Sequence, residues 1–290
     1  MTGSKYPPPG KLIDLGGYRM HLLCRGEGSP TVVMDSAFGG FALDWSLVQP
    51  EIARFTQVCA YDRSGYAWSE PNPKVSVRTS QQLVQELHML LKTAGISGPY
   101  VLVAHSFGGL NVRLFADQYP DDVVGMVLLD VAHEDTEERI KISHEAQVSR
   151  FNFLAKLARF GIVRTWLFPK MVISMIPEYK KLPPELWAAQ VAVALNPKSF
   201  QTAAGEANLF PEYAAKLRAA RSLGDMPLLV LTPVSSSPTW MGLQKELAGL
   251  STQGKLITVA GTGHYIQLGR PDVVVDAVRQ VVEAARRRLT

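Results

Sequence analysis

Ser106 lies in Tyr100-Val101-Leu102-Val103-Ala104-His105-Ser106-Phe107-Gly108-Gly109, where a short apolar run meets a cluster of small residues. A hydroxyl at such a point can serve as a nucleophile if a base takes its proton and an acid orients that base. The run Tyr100 to Val103 is apolar and partly β-branched, as in a buried parallel strand. Leu110 to Ala116 has helical periodicity and meets no breaker before Pro120. A strand turning directly into a helix at a serine exposes that residue. It also aims the first free N–H groups of the helix at whatever the hydroxyl attacks. So tight a turn needs small residues two before and two after the serine, and Ala104 and Gly108 meet that need. A plain helix N-cap is the competing reading of this segment taken alone.

The base is His264. It ends Gly261-Thr262-Gly263-His264, directly after the apolar run Lys255–Val259 and shortly before the last helical stretch. Glycines on either side of Thr262 suit a tight loop that holds an imidazole above a sheet edge. His21, His88, His105, His133 and His144 read as surface or packing residues. His133-Glu134 and His144-Glu145 each lack a second histidine four residues on, so no metal site is expected.

The elements that must position these groups follow from periodicity. Lys11–Leu15 and Tyr18–Cys24 flank Gly16-Gly17 as a hairpin; Thr31–Met34, Gln57–Tyr61, Gly125–Asp130, Pro227–Thr232 and Lys255–Val259 read as further strands. Ser80–Thr93, Trp240–Ala248 and Pro271–Arg287 read as helices. Strands alternating with helices predict an α/β fold with a mostly parallel central sheet flanked by helices. From about Val131 to Asp225 the rhythm breaks into helical stretches with prolines at 169, 177, 183, 184 and 197. The expected organisation is a core of residues 1–131 and 226–290 with a helical cap of 132–225 over the C-terminal strand ends.

A chain of 290 residues with net charge +4 and no interleaved basic and aromatic stripe gives no reason to expect a nucleic-acid partner. The N-terminus lacks a hydrophobic signal core and no apolar run is long enough for a membrane span. Cys24 and Cys59 read as buried free thiols of a reducing compartment, which makes a cytoplasmic enzyme the default.

The hairpin start, Asp62-Arg63-Ser64-Gly65 after the fourth strand, the serine turn and the G-x-G-His loop occur here in an order similar to that of the α/β-hydrolase superfamily. The chain resembles a capped serine esterase or lipase-like member. That resemblance implies an oxyanion hole built from the Phe38 and Phe107 N–H groups, with Ser36-Ala37-Phe38 standing where many members have H-G-x. It places the acid after one of two strands. The later, Pro227–Thr232, is followed by no carboxylate, so Asp130 after the earlier one is assigned, with Glu134 and Asp135 as fallbacks. Asp62 and Arg63 read as a scaffold pair; Asp35 has no account at this level. The epoxide hydrolases and haloalkane dehalogenases of the superfamily use an aspartate nucleophile, which Ser106 disfavours.

The expected activity is hydrolysis of small apolar carboxylic esters through an acyl-enzyme, without a cofactor. Phe151, Phe153, Phe160, Trp166, Phe168, Met171, Met175, Trp187 and Phe200 supply candidates for an acyl or aryl pocket. Lys156, Arg159, Arg164 and Lys170, scattered through Phe151–Ile176, would also let that stretch touch a membrane surface. The rivals are a cofactor-free oxygenase, C–C lyase or perhydrolase on the same scaffold, and a ligand-sensing protein with vestigial hydrolysis. The natural substrate and the oligomeric state stay open.

Overall fold

The protein, seen here as a computed structural model, is described for residues 6–75, 78–164, 170, 176–220 and 222–289. Its strands are β1 (Lys11–Asp14), β2 (Arg19–Arg25), β3 (Thr31–Asp35), β4 (Val58–Tyr61), β5 (Tyr100–His105), β6 (Val123–Leu129), β7 (Leu228–Pro233) and β8 (Lys255–Val259). They form one sheet in the order β1-β2-β4-β3-β5-β6-β7-β8. The β1–β2 and β2–β4 pairs are antiparallel and the remaining pairs parallel.

The central strands are apolar on both faces because both faces are covered. Val33, Leu102, Ala104 and Leu128 point into a core shared with α1 (Ser80–Thr93) and α2 (Gly108–Gln118). Val32, Met34, Val101, Val103 and Val127 point into the opposite core, closed by α8 (Pro271–Leu289). In α1 the apolar positions Leu83, Val84, Leu87, Leu90 and Leu91 are all buried. Its start is fixed by a capping box in which Gln82 N–H donates to Thr79 Oγ1 and Gln82 Oε1 accepts from Thr79 N–H. The strand and helix limits differ from the sequence reading by a few residues at most, as fraying ends do.

Between β6 and β7 the described residues contain helices and no strand: a short turn of helix at Thr136–Ile140, then α3 (His144–Arg159), α4 (Pro184–Ala194), α5 (Pro197–Ala207) and α6 (Phe210–Ala219). After β7 comes α7 (Pro238–Ala248). No helix among the described residues is long and apolar enough to cross a membrane.

The cysteine reading is corrected. Cys24 and Cys59 face each other across the antiparallel β2–β4 pair and are joined in a disulfide, so neither is a free thiol. Both were legible as strand residues, but the sequence does not say which strands are neighbours. Disulfides persist in oxidising surroundings, so the two cysteines no longer argue for a reducing compartment.

Candidate active site

Ser106 follows β5 directly and has φ of 54°, a left-handed backbone that a non-glycine residue adopts at a cost of about 1–2 kcal/mol. The surrounding chain enforces it. Ser106 N–H donates to Leu129 O (3.2 Å) and Ser106 O accepts from Ala132 N–H (3.1 Å). A Cβ on Gly108 would stand 2.7 Å from Asp35 O and 2.8 Å from Ser36 O, and one on Gly109 would stand 2.4 Å from Val131 Cβ. The start of α2 therefore lies against the end of β3, and only glycine permits that approach.

Asp130 follows β6, also at positive φ (47°). Its Oδ2 lies 2.6 Å from His264 Nδ1. Its Oδ1 accepts from Thr232 Oγ1 (2.7 Å) and Trp240 Nε1 (2.6 Å). The tip of β7 thus contributes a hydroxyl, and α7 an indole N–H, that hold the β6 carboxylate. With Nδ1–H given to Asp130, the Nε2 lone pair of His264 is left for a reacting proton. Ser106, Asp130 and His264 line one cavity of about 450 Å³, together with Phe38, Ile140 and Trp240.

The fallback acids are engaged elsewhere. Glu134 takes Arg113 in a two-pronged contact (2.6 and 3.0 Å) and Asp135 takes Arg218 (2.6 Å). Burial works against the Glu134 carboxylate, but the Arg113 hydrogen bonds and charge overcome it and hold its pKa below the usual range.

His105 has a role that the sequence did not reveal. It is fully buried, its ring centroid is 4.5 Å from that of His264, and its Nε2 lies 2.9 Å from His264 O. Burial, then the neighbouring His264, push its pKa well down. A neutral ring fits its partners: Nε2–H donates to His264 O, while Nδ1 accepts from Gln267 Nε2 (3.2 Å). His105 therefore anchors the loop that carries His264.

Phe38 and Phe107 stack with ring centroids 4.2 Å apart, and neither amide N–H has a backbone acceptor among the described residues. The loop bearing Phe38 is fixed by Arg63. This side chain is 4 % exposed and donates to Ser36 O (2.7 Å), Ala37 O (2.8 Å) and the Asp35 carboxylate. Its other edge meets both oxygens of Glu206 on α5 (2.9 and 3.0 Å). Tyr61 OH and Asn111 Nδ2 also donate to Asp35 Oδ2, each at 2.7 Å. The pairing of Arg63 with Asp62 expected from sequence does not occur. Asp62 instead accepts from His21 Nδ1 (3.0 Å), Ala42 N–H (2.9 Å) and Trp68 N–H (3.2 Å). Asp35 gains its explanation as a buried partner of Arg63. Arg63→Met would strand two buried carboxylates and is expected to cost about 3–5 kcal/mol in urea unfolding. A variant within about 1 kcal/mol of wild type would show the cluster to be structurally idle.

A second cavity of about 430 Å³ shares Phe38 with the first. Phe151, Trp187 and Phe200 line it as expected, and Phe153 reaches it while staying 60 % exposed. Phe160 is 80 % exposed and does not line it. Trp166, Phe168, Met171 and Met175 lie outside the described residues. Gln190, which lines this cavity, donates through Nε2 to Asp44 (2.6 Å); Asp44 also accepts from Phe41 N–H (3.0 Å), and burial pushes its pKa up to about 7.

Two clusters of ligand-type atoms lie among the described residues: His133, Asp135 and Glu246, and Glu137, His144 and Glu145. Their atoms are taken up internally. Arg139 donates to Glu246, Arg218 to Asp135, Asp135 N–H to His133 Nδ1, and His144 Nδ1 meets Glu137.

A mostly parallel sheet, helices on both faces and a serine on a left-handed turn between β5 and α2 define a hydrolase-type scaffold. The chain belongs to the alpha/beta hydrolase family, whose model matches residues 28–277. It is similar to the uncharacterized protein YqjL of Bacillus subtilis, 26% identical over 282 residues that cover 95% of this chain and 92% of that one. It is 30% identical over 137 residues to the probable transporter efuK of Hormonema carpetanum, a match covering 45% of this chain but only 20% of that longer protein. Among solved structures it resembles a thermophilic esterase from Thermogutta terrifontis (TM-score 0.70, 21% identity, 95% and 98% of the two chains). It also resembles the Cif epoxide hydrolase from Acinetobacter nosocomialis (TM-score 0.77, 17% identity, 94% and 88%). At these identities the structural matches show the shared fold alone.

Proposed function

We propose that the protein is a serine hydrolase of carboxylic esters with apolar acyl or aryl groups, acting through an acyl-enzyme. One observation carries this reading: Ser106, on a strained turn, shares a cavity with a histidine whose Nδ1 is 2.6 Å from a buried carboxylate. His264 Nε2 takes the Ser106 proton as Oγ bonds to the ester carbonyl carbon. The Phe38 and Phe107 N–H groups receive the oxyanion of the tetrahedral adduct. As that adduct collapses, His264 returns the proton to the departing alcohol oxygen and leaves an acyl-serine. Water, deprotonated by His264, then releases the acid and restores Ser106. Residues 132–225 act as a cap over both cavities.

A serine favours this over epoxide or haloalkane opening, in which an aspartate carboxylate forms the ester intermediate. A p-nitrophenyl ester series tests the reading. The expected result is a burst of nitrophenol equal to the enzyme present, with kcat/KM rising about fourfold per added methylene until the cavity fills. Epoxide or haloalkane turnover with inert esters would overturn it. So would oxygen uptake with a heteroaromatic ketone that persists in Ser106→Ala.

A further inference from the structure

The cavity that shares Phe38 with the serine's is walled by aromatic rings, among them Phe151, Tyr179, Trp187 and Phe200, and Arg150, Gln190 and Ser199 also line it. Gln190 on α4 is 4 % exposed and Ser199 on α5 is 2 % exposed. Gln190 Oε1 and Ser199 Oγ are buried and have no hydrogen-bond partner among the described residues. Chance mobility of the amide does not explain this, because Gln190 Nε2 is tied to Asp44 Oδ1 at 2.6 Å, which fixes the side chain's orientation. Unpaired polar atoms in an apolar wall are costly, and native structures keep few of them. Their chemistry states what would satisfy them. An amide oxygen only accepts, so it calls for a donor; a serine hydroxyl both donates and accepts.

We infer that this cavity recognises an apolar ring bearing a hydroxyl group, with the ring stacked among the aromatic side chains and the hydroxyl paired with Gln190 Oε1 or Ser199 Oγ. The inference deepens the ester-hydrolase reading, on which it rests only for the ring being one arm of the substrate. Phe38 lines both cavities, so the ring sits in this one while the ester lies by Ser106. A plain hydrocarbon ring would fill the same space and leave both polar atoms unpaired. Sites built around a buried polar partner discriminate strongly against analogues that lack it.

Titration calorimetry tests this in a Ser106→Ala background, which holds esters without turning them over. The probes are methyl 3-phenylpropanoate and its 2-, 3- and 4-hydroxyphenyl counterparts. At least one phenol is expected to bind about tenfold more tightly than the parent, the effect of one net hydrogen bond. Ser199→Ala or Gln190→Met should shrink that ratio to about threefold or less and change the parent's affinity by no more than about twofold. Ser199→Ala carries the test if Gln190→Met, which strands Asp44, fails to fold. Four ligands binding within twofold of one another, a preference that survives both variants, or no heat from any of them would overturn the inference. A retained phenol preference in a protein whose wild type turns over no ester would refute the hydrolase reading and leave this one standing. Ester turnover without the preference would do the reverse.

Discussion

Ser106→Ala is expected to lower kcat/KM for p-nitrophenyl esters by about 10⁴-fold or more, because the acyl-enzyme cannot form without the hydroxyl. What remains is the contribution of binding and of the two N–H donors, which still favour a tetrahedral adduct formed by water. The substitution removes one oxygen from the cavity wall and leaves the turn to the hydrogen bonds from Ser106 N–H to Leu129 O and from Ala132 N–H to Ser106 O. Alanine is as strained as serine at φ of 54°. Unfolding in urea should therefore scarcely change, so the kinetic loss reads the chemistry and not the fold. Ester turnover within tenfold of wild type would contradict the assignment of the nucleophile.

Asp130→Asn is expected to lower kcat/KM by about 10³–10⁴-fold, for a reason the hydrogen bonds make specific. Trp240 Nε1 and Thr232 Oγ1 both donate to Asp130 Oδ1. The indole N–H can only donate, so an asparagine must set its amide oxygen there. Its NH₂ then faces His264 Nδ1, which becomes an acceptor, and the proton moves to Nε2. A base that already carries its proton toward Ser106 cannot take another. Asp135→Asn, which weakens a half-exposed ion pair with Arg218 and a looser contact with His133, is the control and should change kcat/KM by less than about threefold. Equal losses in the two variants would contradict the role given to Asp130.

The sheet and its flanking helices were readable because their signals are local: period, length and breakers fix elements such as Ser80–Thr93 without knowledge of their neighbours. The strand–serine–helix unit and the glycine-rich loop before His264 were readable for the same reason. What escaped was made by contacts far apart in sequence. The sequence suggests the adjacent Asp62 as the partner of Arg63, whereas the fold gives it Glu206, 143 positions away. Asp35 looked anomalous because its partners Tyr61, Arg63 and Asn111 belong to three other segments. Cys24 and Cys59 carried no pairing signal until β2 and β4 were known to be adjacent. His105 reads as a packing residue in the sequence, and it is buried, but its bond to the His264 carbonyl, 159 residues on, leaves no local signal. Asp130 combines both cases: its place at a strand end is legible in the sequence, but its hydrogen bonds to Thr232 and Trp240 have no trace there.

Exposure of the wild type to a fluorophosphonate, followed by intact-mass and peptide mapping, asks whether the Ser106 hydroxyl is an activated nucleophile open to its cavity. The expected outcome is one phosphonyl group per chain, located on Ser106, absent in Ser106→Ala and formed far more slowly in His264→Ala. Reagent that leaves Ser106 unmodified, or that attaches equally fast without His264, would contradict it.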